Sequence, residues 1–176
     1  NKYKLRARID FGIAETLAIY ALPDGLPSEP QPPLAGEVAA WKGGLVFTDP
    51  RHAGLGARAI LPREADVGEA GDEEMRRRFD IKRIQLAVPD GSRDLQVGKA
   101  LLMESGFDEL HGVDWQKGCY VGQELTARTK YRGLVKKRLI PLECPEGELR
   151  PGDRITIDGK EAGEIAGVSG HWGLAL

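Results

Sequence analysis

Residues 117–124 read Lys-Gly-Cys-Tyr-Val-Gly-Gln-Glu, and Cys119 is one of only two cysteines in the chain. A thiol between a cation and a glycine-rich turn is a candidate nucleophile or soft ligand, because the thiolate is the reactive form. A helix is predicted from about Gly122 to Tyr131. Cys119 then lies just before its start, where the positive end of the dipole and Lys117 both favour the thiolate. Gly118 lets the backbone turn sharply or approach a ligand closely. Gln123 and Glu124 fall in the first helical turn and can hydrogen-bond a ligand. Arg128, four residues after Glu124, shares its helix face. A thiol, an amide, a carboxylate and a guanidinium are then presented together. The plainer reading is a buried cysteine in a glycine-bounded turn beside an ordinary surface ion pair; the residues alone leave both open. Glu104 closes a short strand predicted over residues 99–103. A carboxylate there can accept the paired N–H groups of an aminopyrimidine such as a pterin, the plain alternative being a solvated turn residue.

The elements that position these residues follow from periodicity and turn chemistry. Residues 3–9 alternate apolar and basic, which suits a half-buried strand, and residues 15–20 read as a second. Pro23, Pro27, Pro30, Pro32 and Pro33 make the next stretch a loop. Residues 38–50 form a hairpin with Gly43-Gly44 as its turn. Residues 71–87 are predicted helical, with Asp72 as N-cap, acids early and bases late. Pro89-Asp90-Gly91 breaks that helix. After Gly133 the chain turns to short β runs, with Asp158-Gly159 joining two of them as a type I′ hairpin. This is a small barrel or sandwich that ends on Gly-Leu-Ala-Leu as a bare, open-edged strand.

Several patterns imitate functional motifs. Residues 54–59, Gly-Leu-Gly-Ala-Arg-Ala, match a dinucleotide fingerprint, but Pro62 stops the long helix that such a site needs, leaving a turn with a short helical segment. Residues 128–138 hold six bases with Tyr131 among them. They fit a phosphate-bearing or polyglutamyl ligand, or a non-enzymatic RNA-binding module; the plain reading is a solvated helix end and linker. The histidines lack metal spacing, no metal site is expected, and Cys144 reads as an inert small residue. The 176 residues carry 25 Lys and Arg against 27 Asp and Glu, so the whole chain is no polyanion binder and no stable nucleic-acid binding is expected. Two cysteines make no disulfide framework. No apolar run approaches the roughly 20 residues of a membrane helix, and residues 1–10 carry no signal-peptide core, so the expected location is cytoplasmic with no membrane partner.

Residues 99–133, with the Lys-Gly-Cys-Tyr-x-Gly-Gln-Glu signature at their centre, resemble the YgfZ family of folate-binding proteins, a branch of the glycine-cleavage T-protein fold that includes mitochondrial homologues. Residues 3–9, the Asp-Pro-Arg-His-Ala-Gly-Leu-Gly-Ala-Arg stretch, the Val-Pro-Asp-Gly turn and the Gly-rich C-terminal part agree with it. The resemblance implies an α+β, T-protein-like folate-binding fold with a ferredoxin-like α/β portion over residues 1–135, then a C-terminal β-barrel over 136–176, incomplete at both ends. It implies tetrahydrofolate, or a one-carbon derivative, as cofactor. The implied role is accessory, in assembly or repair of iron–sulfur clusters in clients such as the radical enzymes that thiolate tRNA. Partners are then folate and iron–sulfur client or assembly proteins. The signature falls on Lys117, Gly118, Cys119, Tyr120, Gly122, Gln123 and Glu124, with Cys119 as the active thiol. Glu104 matches the acidic position that binds the pterin, and Arg128 the basic position of the following helix. Ser105-Gly106 departs from the family pattern at one corner of that pocket. The alternative is a true aminomethyltransferase of the T-protein type.

Overall fold

The computed structural model describes residues 12–25, 33–67 and 73–176. The strand predicted over residues 3–9 and the Asp72 cap lie outside them. Among the described residues the regular structure is two four-stranded antiparallel sheets, two α-helices and one 3-10 turn.

The first sheet runs β1 (Leu17–Leu22), β4 (Ala57–Pro62), β3 (Gly44–Thr48), β2 (Ala39–Trp41) in spatial order. Alternation along β4 buries Ala57, Ala59 and Leu61, which join Trp41 and Val46 in one apolar cluster. The β2–β3 turn is Lys42-Gly43, both at positive φ (46° and 78°), and not Gly43-Gly44. Gly44 is instead the first residue of β3, where a side chain would run into the Ile60 carbonyl oxygen on β4. The dinucleotide look-alike resolves into a 3-10 turn, Ala53–Leu55, followed by β4 and no helix. No α-helix interrupts the described connections of this sheet.

Helix α1 (Glu73–Gln85) opens with Glu73 and Glu74 and closes with Lys82 and Arg83, as the dipole favours. Ala87, at φ 54°, turns the chain out of the helix two residues before Pro89. The helix packs on the second sheet, whose spatial order is β5 (Ile140–Glu143), β8 (Trp172–Ala175), β7 (Lys160–Ser169), β6 (Arg154–Ile157). Ile84, Leu139 and Leu174 form their shared core. Asp158 (φ 52°) and Gly159 (φ 73°) make the predicted hairpin turn between β6 and β7. The Gly-Leu-Ala-Leu ending is not an open edge: β8 lies between β5 and β7, and Leu176 exchanges backbone hydrogen bonds with Glu164 at 2.9 and 3.0 Å.

A buried ion network joins the second sheet to the segment that leads to Glu104. The Arg83 guanidinium donates to Asp80 and Asp94, and Asp94 also accepts from the Asp90 amide at 2.8 Å. Asp94 is pressed against Gly167 of β7, where a β-carbon would overlap its carboxylate. Residues 99–103 form no strand; they belong to consecutive turns between residues 91 and 111. Met103 and Ser105 are buried there, and the Glu104 carbonyl accepts from the Leu139 amide at 3.2 Å, just before β5.

Candidate functional site

Helix α2 (Gln123–Tyr131) carries the C-terminal half of the signature. Its cap is Gly122 at φ 89°, a conformation that a side chain strains, and no side chain caps the first turn. The Gly122 carbonyl accepts from the Thr126 amide and hydroxyl at 3.3 and 3.2 Å. Cys119 lies three residues before the cap, ahead of the helix start as the sequence predicts, and it is exposed. Gly118 turns the loop before it at φ 92°. Lys117 is exposed and holds its ammonium 5.0 Å from the centroid of the Tyr120 ring. The Tyr120 hydroxyl is buried without a hydrogen-bond partner. Tyr120, Gly122, Gln123, Glu124, Leu125 and Arg128 line one shallow depression. The Glu124–Arg128 pair forms as its spacing predicts, with Glu124 largely exposed.

The loop is held by residues that sequence reasoning missed. Asp108 accepts from the Trp115 indole N–H at 2.7 Å and from Lys130 on α2 at 2.8 Å. The Lys130 ammonium stands 4.2 Å from the Trp115 ring centroid, and Trp115 meets Tyr131 edge-on at 5.8 Å. One carboxylate thus ties both flanks of the cysteine loop together. The hydrogen bond from Lys130 first, and that from Trp115 second, hold the Asp108 carboxyl below the usual carboxylate range. The local sequence signal was an aspartate seven residues before a tryptophan, with a lysine near the far end of the next helix. That pattern announces nothing until the chain folds back.

Glu104 is elsewhere. It is half-buried on the wall of a cavity of about 530 Å³ that none of the signature residues lines. That cavity lies between the turns of residues 93–104 and the second sheet. Leu95, Leu101, Ile165 and Leu176 give it apolar walls, while Gln96, Lys99 and Lys137 supply polar groups. The structure therefore groups Tyr120, Gln123, Glu124 and Arg128 at one surface and sets Glu104 at another.

Of the basic run, Arg128, Lys130 and Arg138 are taken up by Glu124, Asp108 and Glu109. Among the described residues no group of three or more His, Cys, Asp or Glu side chains is placed to hold a metal ion. Among the described residues no helix is long and apolar enough to cross a membrane.

Fold and site together define a protein of two antiparallel sheets with an exposed thiol on a clamped loop and a separate charged cavity. Comparison with known proteins is more specific. Residues 136–176 match the family described as CAF17, C-terminal beta-barrel domain. Over its whole length the chain is similar to the iron-sulfur cluster assembly factor IBA57, mitochondrial, of Mus musculus: 35% identical, covering 100% of this chain and 51% of the relative. The human protein of the same name is 34% identical over 99% of this chain and 50% of its own length. The Dictyostelium discoideum homolog is 32% identical over 81% of this chain and 36% of its own. The chain spans about half the length of the first two relatives. All three are named as mitochondrial, which overturns the cytoplasmic expectation. That expectation rested on the first ten residues and on composition, which do not register the compartment in which the relatives work.

Proposed function

We propose that this chain is the tetrahydrofolate-binding part of an iron–sulfur cluster assembly factor with a T-protein-like fold, residues 1–135 contributing the folate region and residues 136–176 the barrel. The observation that carries the assembly role is similarity over the whole chain to proteins named for that role. The residues of the cavity fit the cofactor. A volume near 530 Å³ is within the range of about 300–1,000 Å³ usual for small-molecule sites. Its lining suits the ligand: the Glu104 carboxylate to accept from the aminopyrimidine N–H groups, leucine and isoleucine walls for the rings, lysines for the glutamate carboxylates. When bound, tetrahydrofolate supplies a carrier for a one-carbon unit.

Glu104 orients the pterin by accepting its N–H groups. Cys119 does different work. Its exposure on a clamped loop, away from the cavity, favours a cluster or sulfur species delivered by a partner protein over a ligand enclosed with folate. One thiol is too few for stable cluster ligation, which usually takes four ligands, so Cys119 serves as a transient ligand shared with client or assembly proteins. Radical enzymes that thiolate tRNA are the proposed clients.

Anaerobic calorimetric titration of tetrahydrofolate tests the cofactor. Glu104→Gln keeps the shape but loses the charge, and binding is expected to weaken at least tenfold, about 1.4 kcal/mol. Cys119→Ser is expected to bind folate normally and to lose recovery of a damaged iron–sulfur client. No folate binding by the folded protein removes the cofactor from this reading and leaves the thiol to act alone.

A further inference from the structure

The first sheet has an outer face, opposite its core, that is apolar and largely exposed. Residues paired across neighbouring strands point to the same side of a sheet, so the register defines the rows of that face. One row crosses all four strands as Ile19, Ile60, Leu45 and Ala40. The next holds Ala21, Arg58 and Phe47, and Leu17 stands opposite Pro62. The core residues Val46, Ala59 and Leu61 alternate with these and point to the other side. Ile19 is 69% exposed and Leu45 48%, and Ala21 and Ala40 are exposed with them. An antiparallel sheet with one solvated face ordinarily carries polar residues there. A contiguous apolar face in their place marks a surface that another element covers. Arg58 is the only charged side chain in these rows. Its Nε donates to Asp49 at 2.8 Å, and Arg51 donates to the same carboxylate at 3.0 and 2.8 Å. Asp49 is buried, whereas each guanidinium side chain keeps 31% of its surface. Two cations on one carboxylate leave a net positive charge fixed at the Phe47 end of the face.

We propose that in the full-length protein this face is covered by an amphipathic helix from the portion that precedes this chain, its apolar stripe lying on Ile19, Ile60 and Leu45 and one of its carboxylates meeting Arg51 and Arg58. The chain spans only 51% and 50% of its mouse and human relatives, so enough sequence lies outside it to supply such an element. The barrel over residues 136–176 is C-terminal by its family's description, which sets most of the remaining length ahead of β1, the edge strand of this sheet. A sheet face offers side chains and no free backbone groups, so the covering element must satisfy its own backbone hydrogen bonds, as a helix does. Covering the face also takes water from two guanidinium groups that share one carboxylate. The second charge then needs a counter-charge from the covering element. This inference does not depend on the folate reading.

The test is thiol labelling of the full-length protein carrying Ala21→Cys or Ala40→Cys, read by peptide mass spectrometry against the same protein unfolded in guanidinium chloride. Each substitution adds a single heavy atom at an exposed alanine, so the fold is kept. Both thiols are expected to react about a hundredfold more slowly in the folded protein, and equally slowly after dilution. A photo-crosslinker placed at Ala40 is expected to join a peptide that precedes Asn1. Labelling close to the unfolded rate means a bare face and overturns the proposal. Protection that disappears on dilution assigns the face to a second copy, and crosslinks confined to residues 1–176 assign it to this chain itself; either result overturns the proposal as well. Arg58→Met keeps the bulk and drops the charge, and it is expected to speed labelling of Ala21→Cys about tenfold, whereas Arg58→Lys leaves it slow. Full protection in the Arg58→Met variant overturns the carboxylate contact.

Discussion

At the scale of single residues, Gly167 shows how much a missing side chain can decide. Its backbone lies against the Asp94 carboxylate, which Arg83 and the Asp90 amide fix from the other side. Asp94 cannot retreat without leaving Arg83, which is 4% exposed, short of a counter-charge. Gly167→Ala is therefore expected to destabilise the fold by about 2–3 kcal/mol, the scale of an overpacked core position. Asp94→Ala removes the obstacle but leaves the buried guanidinium with Asp80 as its remaining carboxylate, so the two substitutions together should cost less than the sum of their separate effects. Denaturant unfolding of the three variants measures this, and strict additivity would contradict the proposed contact. The sequence showed a glycine within a β run, a sign of close backbone approach. It did not show what approaches, because Asp94 is far away along the chain. The strand predicted over residues 99–103 was misread for a related reason. An apolar stretch of a few residues looks like a strand whether or not another strand is there to pair with it.

At the scale of elements, local signals carried the hairpins and helices and failed on the clamps between them. Asp158-Gly159 and the start of α2 were legible because turn and cap conformations are decided by adjacent residues. The β2–β3 turn was displaced by one residue because Lys42, a poor candidate for positive φ, is held there by a bond from its ammonium to the Asp66 carbonyl. The Asp108–Trp115–Lys130 clamp was invisible for want of any periodic signal. Its effect on the thiol is testable. Asp108→Asn keeps an acceptor for the indole but gives up the charge that holds Lys130. The partners are only partly buried, so the expected loss of stability is small, about 1 kcal/mol or less. The local effect should be larger. Amide exchange of residues 112–122 is expected to accelerate while β7 and β8 exchange as before. Unchanged exchange in the cysteine loop would mean that Asp108 does not position it.

For the whole molecule, the fold depends on carboxylates held ionised by arginines and by a lysine. Burial works against the Asp49 charge, but the hydrogen bonds from Arg51 and the charges of Arg51 and Arg58 outweigh it and lower its pKa. Asp80 behaves alike, burial opposed by the stronger combined pull of Arg93 and Arg83. The Ser92 hydroxyl, above all, holds Asp90 well below its ordinary value, with Arg93 assisting, and Lys130 does the same for Asp108. A carboxylate whose folded pKa lies below its unfolded one binds more protons when unfolded, so stability rises with pH between the two values. These contributions are complete above the unfolded carboxylate pKa of about 3.9 and are lost as pH falls through the lower folded values. The groups sit in three separate places: the β3–β4 connection, the junction of α1 with the second sheet, and the cysteine loop. Acid should therefore weaken both sheets together. The expected outcome is a melting temperature nearly level from about pH 5 to 7 that falls steeply below about pH 4. Asp49→Asn and Asp80→Asn should each lower the plateau and flatten the fall, since a side chain that does not titrate cannot contribute to the slope. A wild-type midpoint that stays level down to about pH 2.5 would show that these ion pairs persist without their charge and that packing alone sets the stability.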